Sequence, residues 1–289
     1  MNEHQQNCQE REISNYQDFL SIVRGRQLSS QDWVFRGQSV AEWGLSPLLE
    51  RAIDTKKALL GDVAVNPDSE ERELITQFKK RAFHYVSNTP ADDDDLEWLA
   101  LMQHHGAPTR LLDWTKSPYV GLFFALAEAK PKEPAALWAV NTLALEQDAN
   151  QKQPHDREAQ KTWFKTGFFR NRDTPPRQSF ILPVSPFRMN PRLAIQQGVF
   201  LCANAFDQPF QARLEELMRQ ISARCRGPLG LIKFKINPQE RADMLRELGR
   251  MNISYETLLP GIDGFAKSLV TRVAVSLPVH YSDLPACGN

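Results

Sequence analysis

Three short stretches concentrate the side chains whose types and spacing suit chemistry. In Phe35-Arg36-Gly37-Gln38 an arginine sits between an aromatic residue and a glycine. A guanidinium is a planar fork of donors that matches phosphate or carboxylate through paired bonds. A glycine beside it lets main chain come close to a ligand. The run Gln103–Pro118, QHHGAPTRLLDWTKSP, gathers His104, His105, Thr109, Arg110, Asp113, Trp114 and Thr115. An ordinary connection between helices needs turn residues and solvent-facing polar groups, not this inventory. The third stretch, Arg192–Phe200 or RLAIQQGVF, adds Gln196 and Gly198.

Several kinds of chemistry have little footing. Neighbouring residues on a helix point about 100 degrees apart, so His104 and His105 do not readily share one metal ion. The His-Glu-x-x-His spacing is absent, and no residue is assigned as a metal ligand. No Gly-x-Ser-x-Gly elbow, P-loop or dinucleotide fingerprint appears, and none of the three stretches holds a cysteine. Basic residues interleave with aromatics in Phe164–Arg177, FKTGFFRNRDTPPR, an arrangement suited to single-stranded nucleic acid. Each residue also has a purely structural alternative. Arg36 fits a surface ion pair, and at least one of the histidines fits a helix end. Asp113 fits a cap or a partner for Arg110, Trp114 fits the core, and Thr109, Thr115 and Ser117 fit turns.

These residues must be held by folded elements, and the composition provides for them. Among 289 residues, 35 Lys and Arg balance 35 Asp and Glu, so the formal net charge is zero. Such a chain has no global field to draw in nucleic acid or an anionic membrane, which leaves only local patches. A hydrophobic content of 42% is enough for a sizeable core. Cys8, Cys202, Cys225 and Cys287 are scattered without a Cys-x-x-Cys pair, as expected in a reducing compartment. The start, MNEHQQNCQERE, lacks the apolar segment of a signal peptide. YVGLFFALA is far shorter than the ~20 residues that span a bilayer. The expectation is a cytoplasmic protein without membrane contact.

Strand and helix signals alternate along the chain. Asp32–Gly37 reads as a strand, and Ser69–Ser87 as an amphipathic helix with Leu74, Ile75, Phe78, Ala82 and Phe83 on its apolar side. The aspartates before Leu96 predict a capped helix that ends at Gly106. A short extended segment, TRLLDW, follows, and Ser117-Pro118 opens a buried helix. AALWAV, SFILPV and LIKFKI read as strands, Gln211–Arg224 as a helix, and RLAIQQGVFLCAN as a strand with an internal glycine. On such a strand Gln196, Gly198 and Phe200 share a face. Another helix opens at Asn237-Pro238, and an irregular segment then leads to a last helix. The polar residues from about 147 to 178 read as an insertion. The expected organisation is an N-terminal extension over residues 1–28, one α+β domain over 29–275 and a tail over 276–289.

Taken together, WVFRGQ…LSPLLER, LEWLALMQHHGAPTRLLDWTKSPYVGLFFALAE, NPRLAIQQGVF and LGRMNISYETLLPGIDG resemble the FRG domain family. That family is known mainly as a sequence pattern in bacterial and phage proteins, and the resemblance implies a place in stress response or defence, toxins included. A weaker resemblance is to ADP-ribosyltransferases of the Arg–Ser–Glu type. It implies a split, mixed or antiparallel sheet flanked by helices, with Arg36-Gly37 at the pyrophosphate and ribose of NAD. Thr109 or Thr115 would be the small hydroxyl, and the third stretch would occupy the catalytic-glutamate strand. There the chain departs from the pattern, because Gln196 or Gln197 stands where glutamate is expected. An amide can bond a ribose hydroxyl but supplies no negative charge, so Asp113 or Glu97 would have to assist.

The leading expectation is a domain that binds NAD, or consumes it as an ADP-ribosyltransferase or NAD glycohydrolase. Arg36, His105, Thr109, Arg110, Asp113 and Gln196 would be the reacting set. Gly37, Gln38, His104, Trp114, Thr115 and Gly198 would join Arg36 in holding the nucleotide. A protein or nucleic-acid acceptor is compatible with this. The alternative is a non-catalytic nucleic-acid or nucleotide-binding module. A metal-assisted hydrolase using His104, His105 and Asp113 comes third.

Overall fold

The structure, a computed structural model, describes residues 8–25, 27–28, 30–61, 65–152, 179–225 and 230–275. Among these residues seven strands form one open sheet: β1 (Gln9–Ile13), β2 (Trp33–Gln38), β3 (Leu111–Thr115), β4 (Ala135–Asn141), β5 (Ile181–Val184), β6 (Gly198–Ala203) and β7 (Leu231–Ile236). Their order is β1-β7-β4-β2-β3-β6-β5, with β1 and β7 parallel and every other pair antiparallel. The arrangement is a single α+β domain with a mixed sheet flanked by helices.

Both faces of the sheet are covered, and the period of two in the strands shows it. Phe35, Leu137, Ala139 and Phe234 pack under α1 (Tyr16–Arg24) and α5 (Pro118–Ala127). Val34, Ala136, Trp138 and Val140 face the other way, against α6 (Thr142–Lys152) and α8 (Phe210–Cys225). A third cluster seats α3 (Pro67–Ala82) and α4 (Asp95–His104) on Leu111 and Phe200. Each large apolar side chain buried this way contributes about 1.5–3 kcal/mol. The remaining helices are α2 (Leu48–Leu60), α7 (Pro191–Ile195), α9 (Arg241–Arg250), α10 (Tyr255–Leu258) and α11 (Ile262–Val275). Among the described residues no helix is long and apolar enough to cross a membrane.

The centre of the sheet is pinched. β2 pairs with β4 over six residues, from Trp33–Asn141 to Gln38–Ala136, but it meets β3 only at Phe35–Thr115. Beyond that pair the two strands carry no ladder. Helix α5 comes unusually close to β2 beside this opening. A Cβ on Gly37 would strike the Gly121 carbonyl oxygen and the Ala125 nitrogen, so this glycine seats α5 on the strand. The helix keeps its predicted start, with Ser117 Oγ accepting from the Val120 N–H and Pro118 in the first turn.

Several boundaries differ from expectation. Helix α3 starts at Pro67 because Asn66 caps it, and it ends at Ala82, leaving Phe83 64% exposed instead of on the apolar side. RLAIQQ is not strand. Asn190 Oδ1 accepts from the Leu193 N–H and Pro191 opens α7, Gln196 caps its end, and Gln197 turns the chain at φ +49° into β6. Gln196 and Phe200 therefore do not share a strand face. The first part of the polar run from 147 is helix α6, whose buried Asp148 is paired with Lys152 and Arg224, both at 2.6 Å. Residues 153–178, which include the basic–aromatic run, and the tail 276–289 lie outside the described residues. At the other end, β1 and α1 bury Ile13 and Phe19 in the main core, so the segment read as an extension supplies an edge strand and a packed helix.

Candidate functional site

A cavity of about 600 Å³ opens where β2 and β3 part. Arg36, Gly37 and Gln38 line it from β2, Asp113, Trp114 and Thr115 from β3, His104 from the end of α4, and Gln196 from the turn after α7. Eight of the twelve residues singled out from the sequence thus share one cleft. Thr109, Arg110, His105 and Gly198 do not line it.

Arg36 spans the open joint. Its Nη1 donates to the Asp113 carbonyl oxygen at 2.7 Å, replacing a ladder bond that the strands do not make. Its Nε is buried without a partner, and no acceptor among the described residues meets Nη2. The stem is packed deeply enough that burial lowers the pKa of the guanidinium, with Asp113 opposing and Arg51 adding to the shift. Arg51, Arg192 and Lys267 also line the cleft, against the carboxylates Asp113 and Glu128. Four cations face two carboxylates here, so the wall carries net positive charge.

The acidic side is held by a relay. Gln103 Nε2 donates to Asp113 Oδ2 at 2.7 Å, and Thr109 Oγ1 donates to Gln103 Oε1 at 2.5 Å while accepting from the Leu111 N–H. Thr109 is 0% exposed, so it acts on the cleft only through Gln103 and Asp113. Thr115 Oγ1 donates to the Gln196 carbonyl at 2.6 Å and accepts from the Ser117 N–H, which fastens the Gln196 turn to β3. The Gln196 side chain donates through Nε2 to the Leu258 carbonyl at 2.9 Å, leaving Oε1 as its open acceptor. Glu128, at the C-cap of α5, accepts from the Tyr255 hydroxyl at 2.9 Å and faces Lys267 at 3.7 Å. Burial and this carboxylate both push the Tyr255 pKa up, so the phenol keeps its proton.

Several of the singled-out residues, inside the cleft and outside it, have structural work. Arg110 is 2% exposed; it pairs with Glu71, which is 0% exposed, and with Asp68 at 3.1 Å, and stacks over Phe206 at 4.2 Å. Trp114 packs in the core with Val34 and Leu201. Gln38, 7% exposed, bridges Trp138 Nε1 and the Gly44 carbonyl. Gly198 is where the Leu193 side chain crosses the chain, leaving no room for a Cβ. His104 and His105 lie edge to face at 4.8 Å, and His105 lines a separate, apolar groove. Burial, His105 and Arg192 hold the His104 imidazole below its ordinary pKa. Glu97 accepts the Arg188 N–H and does not line the cleft. Among the described residues no three His, Cys, Asp or Glu side chains are placed to hold a metal ion, so His104, His105 and Asp113 form no such centre.

Arg51, Glu128, Tyr255, Lys267 and the rim residue Trp43 escaped sequence reasoning. Arg51 lies in LSPLLER, a run already noted. Glu128 and Tyr255 also fall in quoted runs, Glu128 closing the one that starts at Leu96 and Tyr255 inside LGRMNISYETLLPGIDG, whereas nothing local marks Trp43 or Lys267.

The family model of the FRG domain matches residues 31–134, so the chain carries an FRG domain over that span. No curated protein and no solved structure matches the chain significantly. The matched span contains Arg36, Arg51, His104, Asp113 and Glu128, whereas Gln196, Tyr255 and Lys267 come from beyond it.

Proposed function

We propose that the FRG domain of this chain binds NAD in the cleft between β2 and β3 and cleaves its nicotinamide–ribose bond. The carrying observation is Arg36, with its buried unpartnered Nε, facing a 600 Å³ cavity whose wall also holds Arg51, Arg192 and Lys267. A cavity of this size suits a small molecule. A pyrophosphate suits a forked guanidinium backed by further cations. The resemblance to ADP-ribosyltransferases implies the same place for Arg36-Gly37.

Cleavage depends on the carboxylates. As the C1′–N1 bond breaks, its electron pair leaves with nicotinamide, and positive charge develops on the ribose. Water or an acceptor hydroxyl then adds at C1′ and gives up a proton. Gln196, in the place where the resemblance implies glutamate, has an open Oε1 for a ribose hydroxyl but no charge. Glu128 and Gln196 are both fastened to α10, through Tyr255 and Leu258. Glu128 is accordingly the carboxylate assigned to the developing ribose charge.

Calorimetry with NAD and detection of free nicotinamide test the two halves separately. Arg36→Ala is expected to abolish NAD binding. Glu128→Gln is expected to keep it while slowing nicotinamide release by about 10²–10³-fold. Wild-type protein that neither binds NAD nor releases nicotinamide refutes the proposal. Binding without release removes the cleavage half alone. Salt-sensitive oligonucleotide binding in place of NAD binding would favour the nucleic-acid alternative.

A further inference from the structure

Trp43 lies at the rim of the cleft, 57% exposed, in the segment between β2 and α2. A single exposed apolar ring is ordinary. The way this one is mounted is not. Ala41 before it is 0% exposed and Leu45 after it 1% exposed. The Ala41 N–H donates to the Pro134 carbonyl at 2.8 Å, and the Leu45 N–H donates to Gln211 Oε1 at 2.8 Å. The Gly44 carbonyl accepts from Gln38 Nε2 at 2.9 Å, and Gln38 is itself held by Trp138 Nε1 at 2.7 Å. The backbone under the indole is thus pinned on both sides before any ligand arrives, so little conformational entropy remains to be lost on binding.

Arg36 and Arg51 line the same cleft, and Arg36 keeps Nη2 open. A preset aromatic face beside cations that seek phosphate combines the two contacts that recognise a base joined to a phosphate. We infer that Trp43 is the stacking platform for the heteroaromatic base of the bound nucleotide, with its phosphate on Arg36 and Arg51. This inference rests on the nucleotide-binding role proposed for the cleft, and it adds a residue that selects for a base.

NAD serves as the probe, titrated by calorimetry into wild-type protein, Trp43→Phe and Trp43→Ala, with tryptophan emission followed in parallel. Trp43→Ala is expected to bind NAD roughly tenfold to a hundredfold more weakly, at an unchanged melting temperature. Trp43→Phe keeps a ring face and should bind within a few-fold of wild type, but lose the quenching of emission that NAD causes. Wild-type affinity in Trp43→Ala overturns the stacking role and leaves NAD binding standing. Equal losses in the two variants, or quenching of the same size in Trp43→Phe, also overturn it. So does a lowered melting temperature in Trp43→Ala, which would make the ring a support for its loop. Wild-type protein that does not bind NAD removes the cleft's proposed role and the platform together.

Discussion

Replacing Glu71 by glutamine takes one charge from a fully buried side chain and barely changes its size. Arg110 would stay where it is, 2% exposed, facing Asp68 at 3.1 Å, a carboxylate whose side chain is 46% exposed. Burial pulls the Arg110 pKa down, but Glu71 and then Asp68 more than offset it, so the guanidinium lies above its ordinary value. Arginine is protonated in any accessible buffer, so the variant cannot escape by losing a proton. Breaking a buried pair from one side costs about 3–5 kcal/mol. The glutamine carbonyl still accepts one bond, and the Ala203 carbonyl at 3.3 Å and the Phe206 ring remain. The cost should fall near the lower end, about 3 kcal/mol. For a chain of this size that corresponds to a melting temperature roughly 6–12 °C lower. Urea unfolding should show a shifted midpoint with an unchanged slope. Glu71→Leu combined with Arg110→Met removes both charges and should recover most of the loss. A cost below about 1 kcal/mol for Glu71→Gln would equate the pair with a surface bridge and rule out a penalty for the buried unpaired charge. A double variant worse than the sum of the singles would do the same.

Gly37→Ala should cost at least about 3 kcal/mol, because its Cβ meets α5 main chain that cannot yield; native-like urea stability would show that α5 is not seated there. Thr109→Val removes the hydroxyl that orients Gln103 and accepts from the Leu111 N–H, at a cost of about 1–3 kcal/mol. Through Asp113 it should also weaken NAD binding several-fold, and unaltered affinity would break the relay. His104 has a depressed pKa, from burial, His105 and Arg192 in that order. The unfolded chain therefore takes this proton first, so the group costs stability as pH falls below about 6.5 and costs nothing well above it. A bound anion favours the imidazolium, so NAD affinity should rise as pH falls through the imidazole range. His104→Asn should flatten that rise, and an unchanged pH profile would take His104 out of the cleft's charge balance.

Local patterns carried much of the architecture. The Ser117-Pro118 cap and start, the glycine after α4 and the alternation in β4 and β7 are short-range effects of capping, backbone freedom and pleat, and the structure keeps them. The same cap-and-proline signal stood at Asn190-Pro191 but yielded to the apolar look of the residues after it. Had it been read, Gln196 would have been put at a helix end instead of on a strand. Arg36 and Asp113 both line the cleft, with Arg36 Nη1 on the Asp113 carbonyl, a pairing that no local signal in either stretch shows.

Local sequence sets many of the helices and strands and shows where unusual polar groups gather, although β1 and α1 were not legible in it and α7 looked like strand. Which of those groups reach the cleft was decided by tertiary contacts alone. Arg36 and Arg110 are both arginines on or beside strands. One crosses an unpaired joint in the sheet and keeps donors open, while the other is closed off by Glu71 and Asp68, 39 and 42 residues earlier in the chain. Glu128 and Trp43 became site residues only when α10 and the pinned loop came to the opening between β2 and β3. The physical reason is that exposure and charge pairing depend on long-range packing, whereas caps, turns and periodicity depend on neighbours a few residues away.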